Sequence, residues 1–481
     1  MTEAVETQQP SVAAPAAPAL PSTRGKWIEV WDPENPTFWE RTGKKIARRN
    51  LIFSIFTEHI GFSVWSLWSV FVLFLTPAYG ISTDPKQAAA EKFLLTILPA
   101  AIGSAVRLPY TFAVAKFGGR NWTIVSALLL LLPCVAVAIA LEPGTSYGTL
   151  LFLSALAGLG GGNFASSMAN INSFYPQRLK GAALGLNAGG GNLGVAAVQL
   201  VALAVLATAG KGHPRVMVGV YIPLIVLAAL GAAVFMDNLS HVKNDKHAMR
   251  DVCRDPHTWI MSFLYIGTFG SFIGFGFAFG QVLQNQFPSH FWASGLVKGK
   301  HVVDPVKVAY LTFLGPLVGS LIRPVGGWLA DKFGGAKTTF WNFVAMAVCT
   351  SCVLAASVQK SLVLFFIGFI ALFVFTGVGN GSTYKMIPAI FRSKAQLLID
   401  DGADSATADR EARRFANALI GIAGAIGAFG GVLVNVAFRQ SFLTYQNGNG
   451  AYIGFIAFYA ACFLLTWFVY LRRHAARLSN I

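Results

Sequence analysis

The sequence predicts an all-α membrane protein of twelve transmembrane helices, arranged as two pseudo-symmetric six-helix halves. Three observations carry that reading: an apolar composition, twelve apolar runs of membrane-crossing length, and an internal repeat. Of 481 residues, 54% are hydrophobic and only 12% are charged, with a mean hydropathy of +0.57. Soluble domains carry about 25% charged residues. Runs of roughly 20 apolar residues are long enough to cross a bilayer. They lie at about 51–76, 92–115, 121–141, 148–175, 181–208, 216–236, 257–283, 307–330, 337–358, 361–389, 414–437 and 451–472.

The segments between and around these runs set the domain organisation. Residues 1–25 are Pro/Ala-rich with no apolar core, which reads as a disordered cytoplasmic tail and not a signal peptide. Residues 26–50 carry Trp27, Trp31, Phe38 and Trp39 ahead of a basic cluster, a pattern that suits an interfacial segment at the membrane surface. The first six runs form an N-terminal half, 51–236, and the last six a C-terminal half, 257–472. A polar cytoplasmic linker, 237–256, divides them, and 473–481 is a second cytoplasmic tail. Lys and Arg crowd into the connections on the side of the two termini, so the positive-inside rule places both termini in the cytoplasm of a multi-pass cell-membrane protein. The formal net charge of +16 follows from that asymmetry, and nucleic acid is not expected as a partner. Membrane lipids are, and the chain is expected to function as a monomer.

The repeat is direct. "GSAVRLPYTFAVAKFGG", from Gly103, returns 216 residues later as "GSLIRPVGGWLADKFGG", from Gly319. Arg107 aligns with Arg323, and the Lys-Phe-Gly-Gly turn at 116–119 with that at 332–335. A weaker echo at a shift of 217 pairs "GGNFASS", from Gly161, with "GNGSTYK", ending at Lys385. Run n thus corresponds to run n+6. Parallel six-helix repeats place a substrate site near the bilayer midplane between the halves.

Five ionisable residues lie well inside the runs: Glu58, His59, Arg107, Arg323 and Lys385. An arginine at the centre of a membrane helix costs about 3 kcal/mol on insertion scales, so it normally faces a partner or a wet cavity. Each Arg sits nine residues before its Lys-Phe-Gly-Gly turn, roughly 13 Å along the helix, too deep to snorkel. Glu58 is the one carboxylate among the runs and cannot neutralise both. Two guanidiniums short of countercharge suit an anion, and the planar fork of Arg suits an oxyanion.

Glycine adds a second pattern. The fifth run reads "GAALGLNAGGGNLG" and includes Gly189, while the eleventh reads "GIAGAIGAFGG" and includes Gly427. Spacings of three and four put small residues on one face and let helix backbones touch. Close packing and direct contact with a very small substrate both fit. Asn192, inside the first run, is placed to donate to such a substrate.

"GLGGGNFASSMANINSFYP", "SFLYIGTFGSFIGF", "GNGSTYKMIP", the glycine runs and the paired arginines together resemble the nitrate/nitrite porter family, NarK type, of the major facilitator superfamily. The resemblance covers 45–472 and is nearer the proton–nitrate symporter subtype. It implies alternating-access transport of nitrate, and of nitrite, across the membrane. Carried over, Arg107 and Arg323 are the anion clamp and Phe164 is one sandwiching ring. Tyr384 is the other, with Phe375 as the alternative. Tyr265 and Asn192 complete the hydrogen bonding, and Gly189 and Gly427 lie on the glycine-rich helices that carry the family motifs.

The chain departs from the exchanging members in carrying Glu58 and His59 in the first run and Lys385 in the tenth. These three are the candidates for proton coupling or gating. Glu58 and Lys385 are expected to approach one another when the cytoplasmic side closes; a permanent structural ion pair, or a Lys385 that only reaches the interface, is the alternative. Nitrate/nitrite exchange, which needs no proton site, is the rival mechanism, and another small oxyanion the distant one. Enzyme and receptor readings find little support. The eight histidines have no metal-site spacing on a run, no cofactor motif is present, and the tails are short for a signalling domain. Cys349 and Cys352 form a CxxC inside an apolar run, expected to be a buried helix face.

Overall fold

Gly118 and Gly334 end the two copies of the repeat in the same backbone geometry, φ 88° ψ 145° and φ 93° ψ 138°. That positive φ is strained for any residue with a Cβ. A Cβ at 118 would also stand 2.3 Å from the Asn238 amide. Around these paired turns the computed structural model, which describes residues 23–209, 213–242, 246–294, 296 and 301–472, is almost wholly helical. Residues 1–22 of the tail expected over 1–25, the tail 473–481 and residues 243–245 of the linker lie outside the described residues, while Thr23–Arg24 of the first tail forms a strand.

Twelve helices among the described residues are long and apolar enough to cross a membrane. Spans 1–6 are Pro36–Phe74, Pro85–Phe117, Gly119–Ala140, Tyr147–Phe174, Gln177–Leu206 and Pro214–Phe235. Spans 7–12 are Pro256–Gln286, Pro305–Phe333, Gly335–Val358, Leu362–Asp400, Ser405–Tyr445 and Asn449–Leu471. The end of the bundle bearing Gly118 and Gly334, with Lys116, Arg120, Lys332 and Lys337, is called the basic end below.

Three local features differ from the sequence reading. Span 1 starts at Pro36, within the segment assigned to the membrane surface. Asn35 caps it by accepting from the Thr37 and Phe38 amides at 3.0 and 3.2 Å, and Pro36 fills the first helical position. Trp31 packs on Phe38 and Phe174, and Trp39 on Tyr175, so this aromatic cluster is buried against the end of span 4. A small sheet holds it there: Trp27–Ile28 pairs antiparallel with Thr23–Arg24 and parallel with Asn238–Leu239.

Spans 10 and 11 likewise run past the membrane. The polar stretch after about 389 is helix to Asp400, and span 11 begins at Ser405, capped by Asp404. Lys394 pairs with Asp255 and Arg414 with Asp251, which ties both extensions to the linker region. Cys349 is half-buried and Cys352 exposed on span 9, both free thiols, so the pair does not form the buried face expected.

The two halves meet tightly at the end opposite the basic one. Phe93 of span 2 stacks on Phe438 and Phe442 of span 11 at 6.0 and 5.5 Å. Trp65 of span 1 meets Phe277 of span 7 edge-on at 5.4 Å. Gly276 packs against Val195 and Gly280 against Leu73, each glycine letting two halves approach. Toward the basic end a cavity separates them.

Candidate functional site

Arg107 is 1% exposed on span 2. Its Nε donates to the Gly161 carbonyl of span 4 at 3.1 Å, and its Nη1 to the Gly424 carbonyl of span 11 at 2.9 Å. One guanidinium therefore bridges the halves. Both acceptors are glycines, where no side chain shields the carbonyl. The guanidinium also lies 4.6 Å from the Phe164 ring, 5.0 Å from Phe269 and 5.2 Å from Trp65, a cation–π environment that helps to hold a charge away from water.

Arg323 is the counterpart on span 8, 5% exposed. Its Nη2 donates to the Tyr265 hydroxyl at 3.4 Å, and its guanidinium lies 5.8 Å from the Tyr384 ring. Tyr384, not Phe375, thus supplies the ring beside Arg323. Tyr265 stacks on Phe269 at 5.2 Å and 13°, and Phe269 stacks on Phe164 at 5.9 Å and 26°. The two arginines are linked through this row of rings. Phe269 lies within the motif that begins at Ser262 and carries no separate mark in the sequence beyond its position. Its signal is its spacing, four residues after Tyr265, with a π-turn over Ile266–Gly270 aiming both rings inward.

Arg107 Nη2 and Arg323 Nη1 are buried without a hydrogen-bond partner, as are both amide atoms of Asn192 and the Tyr384 hydroxyl. Buried polar groups are ordinarily satisfied. Charged N–H donors are thus left over on both halves. A cavity of about 60 Å³ opens beside Arg107, lined by Arg107, Phe164, Tyr384 and Gly424 and extending to Asn172 and Asn417 toward the basic end; Arg323, Tyr265 and Asn192 lie outside its lining. It suits a small ion. A larger apolar groove of about 550 Å³ between spans 7, 11 and 12 has no charged residue in its lining.

The glycines act mainly as seats. A Cβ at 427 would stand 2.4 Å from the Tyr265 ring, and one at 191 would stand 2.1 Å from Glu58 Oε1. Gly427 therefore makes room for a site side chain. Gly189 faces open space and is not among the residues lining the cavity.

Glu58 is fully buried in span 1, its Oε2 accepting from Asn187 Nδ2 at 2.7 Å while Oε1 has no partner. Asn187 also donates to Ser167 at 2.7 Å. Asn187 lay unnoticed in the span 5 glycine run. His59 Nδ1 lies 3.0 Å from the Gly190 carbonyl. In this state, with the cavity open toward the basic end, Lys385 is engaged elsewhere than at Glu58. It pairs with Asp331 of span 8 at 2.8 and 2.9 Å, with side chains 40% and 61% exposed. One residue past Tyr384 on a helix is a turn of about 100°, and that rotation takes Lys385 away from the cavity.

The Major Facilitator Superfamily profile matches residues 51–431. Nitrate/nitrite transporter NarU of Salmonella typhimurium is 38% identical over 468 residues, covering 93% of this chain and 96% of its own. This chain belongs to the nitrate/nitrite transporter family of the Major Facilitator Superfamily. NarU of Escherichia coli is 37% identical over the same coverage. The family also includes a relative named Probable nitrate/nitrite antiporter NarK2, of Thermus thermophilus, 33% identical over 95% of this chain and 99% of its own. In fold, the chain resembles the xylose transporter XylE from E. coli, with a TM-score of 0.63 at 11% identity, covering 88% of this chain and 97% of that one. The family fold and the twelve spans make it a multi-pass membrane transporter, not an enzyme.

Proposed function

We propose that the protein carries nitrate, and nitrite, across the cell membrane by alternating access, with nitrate taken up together with a proton. The observation that carries this reading is the pair of buried, unpartnered guanidinium N–H groups, one from each half, flanked by stacked rings. A flat monoanion accepts in-plane hydrogen bonds at its edge and aromatic contact on its faces. Hydrogen bonds to charged groups contribute about 1.5–3 kcal/mol each. Because Arg107 and Arg323 belong to different halves, a bound anion screens their repulsion and lets one half rock against the other around it.

The basic end is assigned to the cytoplasm by the positive-inside rule, which puts both termini there. The cavity then opens inward and the seam with Phe93 and Phe438 closes the outer side. Glu58 is the proposed proton carrier. It is buried within electrostatic reach of Arg107, and one oxygen is unsatisfied. An anion seated on Arg107 takes up the positive charge that otherwise balances an ionised Glu58, so anion and proton bind together. Asn187 holds the carboxyl in place in either state. Lys385 has no part in this account.

Nitrate/nitrite exchange is the second reading, favoured by the printed name of the Thermus thermophilus relative. Liposomes separate the two. Nitrate entry driven by an inward proton gradient, with no anion inside, supports symport. Entry only into vesicles preloaded with nitrite, without a gradient, assigns exchange and removes the proton role of Glu58.

A further inference from the structure

The closed outer seam is held by uncharged groups. Thr96 of span 2 donates to Asn435 Oδ1 of span 11 at 3.0 Å. Gln281 of span 7 donates to the Lys92 carbonyl at 3.4 Å and to Thr96 at 3.5 Å. Gln199 of span 5 donates to the Gly276 carbonyl at 3.1 Å, and Gln284 of span 7 to the Leu73 carbonyl at 3.3 Å. Each of these bonds joins one half to the other. Each of the three glutamines leaves its own Oε1 buried without a partner. Such a seam is closed but incompletely satisfied, and opening it breaks no ion pair among these contacts.

Two cations stand at this seam, Lys92 of span 2 and Arg439 of span 11, the latter one turn past Asn435 with its Nε buried without a partner. Lys92 is partly buried on span 2, and among the described residues no carboxylate pairs with it. The neighbouring Glu91 is turned away, accepting from the Ser82 amide at 2.8 Å and from Gln87 at 3.2 Å. Residues four apart share a helix face, so Lys92 lies on the face of Thr96, over the junction of spans 7 and 11. Its Cβ leans toward the helix N-terminus, which is the outer end. A charge placed among apolar and amide groups in a membrane helix marks an ion path unless it has a partner.

We propose that Lys92 is an outer capture residue for small inorganic oxyanions. As the seam opens, it offers the anion a fixed cation about 22 Å along the same helix before Arg107, inward of the exposed Lys86. This inference rests on the anion-transport reading. Separation of the halves exposes Lys92 at the outer vestibule, where a fixed charge with low-dielectric walls concentrates anions. Closure then leaves it only partly exposed after the anion has moved to the arginine pair. The uncharged latch serves this role, because a carboxylate in the seam would neutralise Lys92 and repel the substrate.

The test compares nitrate uptake by right-side-out and inside-out membrane vesicles carrying wild type, Lys92→Gln and Lys92→Arg. Lys92→Gln is expected to raise the KM for external nitrate about tenfold, with the KM from the inner face within about twofold, and Lys92→Arg to restore the external value. The external KM of wild type should rise with ionic strength more steeply than that of Lys92→Gln. Lys92→Met, close in length and uncharged, replaces Lys92→Gln if that variant fails to insert. An unchanged external KM, or an equal rise on both faces, overturns the capture role. Wild-type vesicles that show no saturable nitrate uptake would instead overturn the transport reading itself.

Discussion

Gly427 lies directly beneath Tyr265, so close that a Cβ at 427 would stand 2.4 Å from the ring. Tyr265 in turn accepts from Arg323 and stacks on Phe269. One missing methyl on span 11 thereby fixes the position of a guanidinium on span 8. Forcing a methyl into a packed site costs about 1–3 kcal/mol. Gly427→Ala is expected to lower nitrate uptake about tenfold or more at normal protein level. Gly189→Ala, facing open space, should change it less than about twofold. Uptake normalised to inserted protein, measured for both, checks this.

Tyr265→Phe keeps the stack on Phe269 but removes the hydroxyl that accepts from Arg323. A hydrogen bond to a charged group contributes about 1.5–3 kcal/mol, so the KM for nitrate should rise roughly tenfold with expression unchanged. Phe269→Leu removes the ring between Tyr265 and Phe164 and should weaken nitrate binding by a similar factor. Initial-rate kinetics in proteoliposomes read both.

Glu58→Gln preserves the bond network with Asn187 in size and shape but holds no exchangeable charge. Nitrate binding should survive while the stimulation of uptake by an inward proton gradient disappears. Gly191→Ala, which displaces Glu58, should disturb the same property. Uptake by Glu58→Gln that stays fully gradient-dependent would take Glu58 out of the coupling role.

Lys385 and Asp331 form an exposed pair, and such pairs contribute at most about 1 kcal/mol. Lys385→Gln should leave the KM for nitrate and its proton dependence within about twofold of wild type. A loss of gradient dependence in this variant would return Lys385 to the coupling path.

The repeat was legible because it obeys a hard constraint: positive φ at Gly118 and Gly334 admits little besides glycine, and a buried arginine stands out in an apolar run. The arginine pair, Phe164, Tyr265 and Tyr384 came together from those signals and the family motifs. Phe269 and Asn187 did not, since one more Phe among 39 and one Asn in a glycine run carry no mark until neighbouring helices are in place. The Lys385–Asp331 pair of this state was not legible either, because depth in a run does not say which face of span 10 a residue occupies. The start of span 1 and the extensions of spans 10 and 11 were missed for a related reason. Hydropathy marks where a membrane begins, while caps such as Asn35 and Asp404 decide where a helix does.

The central claim is that an oxyanion is held between Arg107 and Arg323. Calorimetric titration of nitrate into the purified protein, and into Arg107→Lys and Arg323→Lys, tests it most directly. A lysine keeps the charge but not the planar fork. The account predicts one nitrate bound per wild-type chain, and variants that remain folded yet bind roughly 30-fold more weakly or not at all, the loss of one charged hydrogen bond or more. Folded lysine variants that bind nitrate as tightly as wild type would contradict it.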